Sequence, residues 1–259
     1  MKTTLLAIWE YRDMVISLVK RTLRGRYKGS VLGFFWTFLE PLLQLLVYTV
    51  LFSVIIDQKI DKYYLFLFVA LIPWMFFSAS VSGGAKCISN QANLVTKLYF
   101  PREVLPIAHV SAAFINMLLS FLVVFAVVLI ARVPIHPLGL LELPVIMLVE
   151  YALALGITMI VSACTVYFRD LEYIMGVVTM LWQFLTPIMY NISAVPQEYM
   201  SLYMLNPMTP VILLYRDILY YGRAPSLASL LPCALWGAAF LLIGFFVFGR
   251  LQKGFAEEL

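Results

Sequence analysis

Residues 24–42 read RGRYKGSVLGFFWTFLEPL. A basic patch gives way within five residues to an apolar wall, and near the end of that wall stand Glu40 and Pro41. So abrupt a change marks a membrane boundary, yet a helix crossing a bilayer avoids both a carboxylate and a proline in mid-span. The rest of the chain supports the membrane reading. Of its 259 residues 63% are hydrophobic and 12% charged, with a mean hydropathy of +0.94. A soluble domain is nearer half apolar and a quarter charged. This is an integral membrane protein. The first long apolar run starts near Val31 and no A-x-A-like site follows a short apolar region, so no cleavable signal peptide is expected.

Uncharged stretches of about 20 residues, enough to cross a hydrocarbon core of roughly 30 Å, occur at 63–85, 104–131, 173–193 and 226–249. Two more, 143–167 and 31–56, are clean except for Glu150 and Glu40. All six are expected to be helices, because a chain in lipid must satisfy its own backbone. With the N-terminus in the cytoplasm and six crossings, 13 of the 18 Lys and Arg residues fall inside. Only Lys59, Lys62, Arg132, Arg216 and Arg223 fall outside. That asymmetry predicts an N-in, C-in topology.

Two segments are not simple spans. In residues 3–23, Leu5, Ile8, Trp9, Ile16, Val19 and Leu23 share one helical face, and Glu10, Asp13, Ser17, Arg21 and Arg24 lie largely opposite. Arg12 intrudes on the apolar side. This predicts an amphipathic helix in the membrane interface. Residues 194–225 are moderately apolar, broken by Pro196, Pro207 and Pro210, and carry Arg216-Asp217. A single crossing there would place the C-terminal Arg250 and Lys253 outside, so the segment reads as a re-entrant helical hairpin between the fifth and sixth spans. The expected fold is all-α, in one transmembrane domain over residues 1–259. No internal repeat and no polar tail long enough for a second domain is evident.

Catalytic chemistry finds little footing. The two histidines, His109 and His136, belong to no metal or hydrolase motif, and no phosphate-binding loop is present. Cys87, Cys164 and Cys233 are far apart, without metal-ligand or disulfide spacing. Neither a catalytic residue nor a metal site is predicted, and the energy for any work must come from another chain. Glu40 has two readings. It lies on a bent pore helix with Phe34, Phe35, Trp36 and Phe38, or those aromatics face lipid and Glu40 is protonated or paired with a neighbouring span. Glu150 is equally open, as a pathway residue or an interhelical hydrogen bond. Arg169-Asp170 either pair with each other or brace the inner end of the bundle. The cluster Tyr99-Phe100-Pro101-Arg102-Glu103 suits docking into a partner's groove or anchoring at the interface.

Four stretches, RTLRGRYKGSVLGFFWTFLEPL, LVTKLYFPREVLPIA, VYFRDLEYIMGVVTMLWQFLTPIMY and LNPMTPVILLYRDILYYGRAP, occur in an order that resembles the permeases of ABC-2 type polysaccharide exporters. These move lipid-linked O-antigen, teichoic acid or capsule out of the cytoplasm. The resemblance implies a bacterial inner-membrane half-transporter that homodimerises and pairs with two copies of an ATP-binding subunit. That subunit would hold ATP and Mg, with no cofactor in this chain, no ATPase activity of its own and no nucleic-acid partner. Residues 3–23 would be the interface helix, and the coupling loop would carry Asn90, Lys97, Tyr99, Phe100, Pro101, Arg102 and Glu103. The first and fifth spans would line the channel with Phe34, Phe35, Trp36, Phe38, Glu40, Tyr48, Trp182, Phe184 and Tyr190. The external gate would include Pro207, Pro210, Tyr215, Arg216 and Asp217. Arg21, Arg24, Arg26 and Lys28 would meet lipid headgroups and the pyrophosphate of a polyprenyl-linked donor, or serve topology alone. An ABC-2 permease for a drug or lipid fits the same residues. A membrane-embedded transferase needs acidic or histidine clusters that the loops lack.

Overall fold

The computed structural model describes residues 8–55 and 59–259, apart from the side chains of Arg26, Tyr27 and Val54. Among these residues the ordered structure is helical throughout. Helix α1 (Arg12–Tyr27) is followed by α2 (Trp36–Thr49), which has a 3-10 entry at Gly33–Phe35 and a π-helical end at Val50–Ile55. Then come α3 (Tyr63–Gly84), α4 (Ala92–Lys97), α5 (Val104–Ile130) and α6 (Pro137–Tyr167). Helices α7 (Leu171–Phe184), α8 (Met200–Leu205), α9 (Met208–Leu219), α10 (Leu227–Leu251) and α11 (Phe255–Glu258) complete the chain. Among the described residues, five stretches are long and apolar enough to cross a membrane: Gly33–Ser53, Tyr63–Gly84, Val104–Ile130, Pro137–Tyr167 and Leu227–Glu258.

The other expected span, 173–193, is only partly helical. Its helix has 14 residues and stops at Phe184, so it rises about 21 Å. The residue before a proline disfavours the α conformation, and Pro187 follows close behind. Residues 185–190 are turns and bends, yet they carry the chain onward, because Tyr63 at the start of α3 donates its hydroxyl to the Met189 carbonyl at 2.9 Å. Smaller differences have local causes. Helix α6 starts six residues before the expected 143, with Pro137 at a first-turn position that needs no amide donor. The interface helix breaks at Tyr11 and then runs to Tyr27, beyond the expected end at 23. Its residues 3–7, with Leu5, lie outside the described residues. Val15, Leu18 and Val19 of α1 pack on Ala108 and Ala112 of α5, whereas Trp9 and Ile16 remain exposed.

Helix α3 is the centre of the bundle, buried along nearly its whole length and touching α2, α5, α6, α7 and α9. The most extensive helix pair is α6 with α10. Small residues let the two backbones meet, as in other lipid-embedded helix pairs. A Cβ on Gly156 would sit 2.3 Å from the Phe240 backbone, and one on Gly244 would sit 2.4 Å from the Gly156 carbonyl oxygen. Replacing Gly244 with valine forces these backbones apart and is expected to lower stability by about 1–3 kcal/mol. Thermal unfolding of the detergent-solubilised protein checks this. An unchanged midpoint would remove the close contact from the account.

Candidate functional site

Helix α2 places Thr37, Glu40, Pro41, Gln44 and Tyr48 on one face, at intervals of three, four and seven residues. The opposite side exposes Leu42, Leu43, Leu46, Val47 and Val50. The polar face lines a cavity of about 290 Å³, closed by Ser78 and Ser82 of α3, Asn116 and Ser120 of α5, and Gln183 of α7. Gln183 Nε2 donates to the Tyr48 hydroxyl at 3.4 Å, bridging α7 and α2 across it. Hydroxyl, amide and carboxyl groups thus converge inside an otherwise apolar bundle. Among the described residues, no group of three or more His, Cys, Asp or Glu is arranged to hold a metal ion.

Pro41 explains how α2 tolerates its own break. A proline inside a helix deprives the carbonyl four residues earlier of its donor, here that of Thr37. The Ser120 hydroxyl donates to that carbonyl at 3.3 Å and to Asn116 O at 3.0 Å. Glu40 and Pro41 are therefore two parts of one feature. The proline turns a backbone acceptor toward α5, and the carboxylate joins the polar wall beside it.

Apart from Tyr48, the aromatic residues expected in a channel do not line this cavity. Phe34 and Phe35 pack edge-on to Phe38 at 5.5 and 6.2 Å, and both are exposed at the entry to α2. Trp36 donates to Ser30 Oγ at 3.1 Å. Trp182 packs edge-on to Phe77 at 5.0 Å and donates Nε1 to Asn206 Oδ1 at 2.9 Å. Phe184 is exposed. Tyr190 meets the Tyr203 hydroxyl at 2.9 Å and lines a second cavity of about 330 Å³ with Tyr199. Of the nine expected channel residues, only Glu40 and Tyr48 line the polar cavity.

The segment expected to form a gate is held by Asn206 and Arg216. Asn206 Oδ1 accepts from the Met208 amide at 3.0 Å, and its Nδ2 donates to Leu185 O and to Thr186 Oγ1. Pro207 caps α9 and Pro210 sits in its first turn, where amide donors are unneeded. Arg216 is 1% exposed. Its guanidinium donates to Pro187 O at 2.5 Å and Ile188 O at 2.6 Å, with longer bonds to Tyr190 O and Phe66 O. It also lies 3.5 Å from the Phe66 ring centre. A planar fork suits several convergent carbonyls where a lysine would not. Asp217 pairs instead with Arg223 at 3.4 Å. One residue earlier, Tyr215 donates to Glu150 Oε2 at 2.7 Å with both groups buried. Glu150 thus has the interhelical partner that one of its two readings requires.

In the loop after α3, Tyr99 is fully exposed, and Asn90 and Lys97 are exposed beside it. Phe100 and Glu103 are buried within this chain. Arg102 donates to the Gln252 carbonyl, so this part of the cluster contacts the C-terminal segment of the same chain. Arg21, Arg24 and Lys28 are exposed, and the side chain of Arg26 lies outside the described residues. Glu172 forms an ion pair with Lys86, linking the end of α3 to the start of α7. Asn206 and Gln252 escaped the sequence reading. An Asn-Pro turn signal marks the first, but nothing local marks the second.

Residues 14–220 match the family model described as ABC-2 type transporter. The chain is 38% identical over 254 residues to the O-antigen export system permease protein RfbA of Myxococcus xanthus, covering 97% of each. It is 28% identical to the protein of the same name from Klebsiella pneumoniae, covering 95% of each. Identity to the polysialic acid transport protein KpsM of Escherichia coli is 26%, over 89% of this chain and 90% of that one.

Replacing Arg216 with lysine keeps the charge but cannot reach the Pro187 and Ile188 carbonyls together. A lost charged hydrogen bond costs roughly 1.5–3 kcal/mol, so the unfolding midpoint should fall by about 5–10 °C. An unchanged midpoint in detergent or lipid nanodiscs would contradict the anchoring role.

Proposed function

The chain belongs to the ABC-2 type transporter family, and on that premise we propose that it is the permease subunit of an exporter for a lipid-linked polysaccharide. The observation that carries this reading is the hydroxyl- and amide-lined cavity between α2, α3, α5 and α7, in a chain that aligns with O-antigen permeases over nearly its whole length. Sugars present hydroxyls at every ring. A wall of hydroxyl and amide side chains, interspersed with apolar Trp74, Phe76 and Met117 and carrying Glu40 as its one carboxylate, exchanges hydrogen bonds with them at little cost, whereas a cluster of fixed charges would hold one residue and stall the next.

The proposed topology has six crossings with both termini in the cytoplasm. Helix α7 and the turns after it make the fifth crossing together. Support comes from Tyr63 bonding Met189 and Tyr220 bonding Asp61 at 2.6 Å, which bring residues 189 and 220 to the same end of the bundle as the start of α3. Between them Asn206 reaches back to Trp182 on α7, so α8 and α9 form a hairpin that dips into the bundle and returns. The irregular backbone at residues 186–189 is buried in protein, as lipid requires. Two copies of the chain would work with two ATP-binding subunits, which contact the exposed Lys97, Leu98 and Tyr99 and supply all ATP chemistry. Exposed Arg21, Arg24 and Lys28 would lie at anionic headgroups and meet the pyrophosphate of the lipid carrier.

Two outcomes test the reading. The purified chain should hydrolyse no ATP and should co-purify as a 2:2 complex when its ATP-binding partner is co-expressed. Intrinsic hydrolysis by this chain would overturn the assignment. Combining Gln183→Leu with Tyr48→Phe should cut surface glycan at least five-fold at unchanged protein level, with lipid-linked glycan accumulating inside. Export at the normal rate would remove the cavity from the path.

A further inference from the structure

We propose that the C-terminal segment, residues 252–259, is a strut that hands displacement of the loop after α3 to α10, with Arg102, Gln252 and Phe255 as its positioning residues. The inference rests on the coupling role proposed above for that loop, and it goes beyond it by naming the element that receives the motion.

The loop has two distinct sides. Lys97, Leu98 and Tyr99 point outward, the last two 59% and 100% exposed. Val95, Phe100 and Glu103 point inward and are nearly inaccessible. The inward side grips the chain about 150 residues away. Arg102 Nη1 donates to the Gln252 carbonyl, and Gln252 Nε2 donates back to Glu103 Oε1 at 2.8 Å. The Arg102 guanidinium also lies 5.8 Å from the centre of the Phe255 ring. Phe255 is fully buried, edge-on to Phe248 of α10 at 5.6 Å and 6.3 Å from the ring of Tyr167 at the end of α6. Helix α11 packs against α4 itself and against α6.

The chemistry of a helix end makes this grip stiff. The last carbonyls of α10 have no donor within the helix. Tyr167 supplies one to Leu251 O at 2.7 Å, and Arg102 adds a second donor to the Gln252 carbonyl, which also accepts from the Phe255 amide, with its charge favourably placed at the negative end of the helix. Reciprocal bonds between Arg102, Gln252 and Glu103 prevent the loop from sliding past the helix end without breaking several partners at once. Helix α10 then runs unbroken from Leu251 back to Leu227, locked to α6 at Gly156 and Gly244. A push on Tyr99 therefore reaches α10 and α6 directly. Covalent connection alone would deliver it only to α3 and α5.

The test uses the full complex with its ATP-binding partner in proteoliposomes and reads glycan exported per ATP hydrolysed. Phe255→Ala and, separately, Gln252→Leu alter neither the exposed loop face nor the polar cavity. Each should leave complex assembly and ATP hydrolysis within about two-fold of the parent while export per ATP falls at least five-fold. Phe255→Tyr should restore most of it. Because Gln252→Leu removes one hydrogen bond and opens no cavity, it keeps the test valid if Phe255→Ala lowers the yield of folded protein. Unchanged export per ATP in both variants, or export and hydrolysis falling in proportion, would overturn the strut. A parent complex without ATP-driven export would instead overturn the proposed function.

Discussion

Several breaks and ends of helices in this bundle are matched by side chains that satisfy the freed backbone. In lipid no water can take that place, so the constraint governs where irregular structure is allowed. Ser120 answers the carbonyl that Pro41 leaves open, Lys62 answers Ala131 at the end of α5 at 2.8 Å, and Tyr167 answers Leu251. Arg216 does most, holding the carbonyls of Pro187 and Ile188 where α7 gives way to turns. Without that guanidinium the chain after Phe184 could not run irregularly through protein, and the α8–α9 hairpin would lose the wall against which it folds back.

The same constraint locates function. A bundle that needs few polar groups for its own cohesion nevertheless collects Glu40, Gln44, Tyr48, Gln183, Asn116 and three serines around one cavity. Some of these support backbone, as Ser120 does, and Gln183 meets Tyr48 across the cavity. They make a hydrophilic lane between helices whose outer faces are apolar. Cohesion elsewhere is left to close backbone contact, above all between α6 and α10.

Much of this was legible in the residues. Runs without charge, bounded by basic clusters, located the long helices, and three prolines before Arg216 marked the interrupted stretch that holds α8 and α9. The fifth run was overestimated because hydropathy does not register where a helix stops, although Thr186-Pro187 carried that information. The aromatics from Phe34 to Phe38 suggest a channel by their type, and helical phase puts Thr37, Glu40, Gln44 and Tyr48 on the cavity. Least legible was the loop at Tyr99–Glu103. Its inward half is buried by residues about 150 positions away, and no local pattern announces contact at that distance.

The central claim is that the polar face of α2 lies on the path of a sugar polymer. Site-specific photocrosslinking during ATP-driven export tests it most directly, with the photoreactive side chain placed either at Gln44 or at Leu46 on the opposite, apolar face. Capture of glycan from position 44 and not from 46, dependent on ATP, is the predicted result. Equal capture from both positions, or none from position 44 while export proceeds, would contradict it.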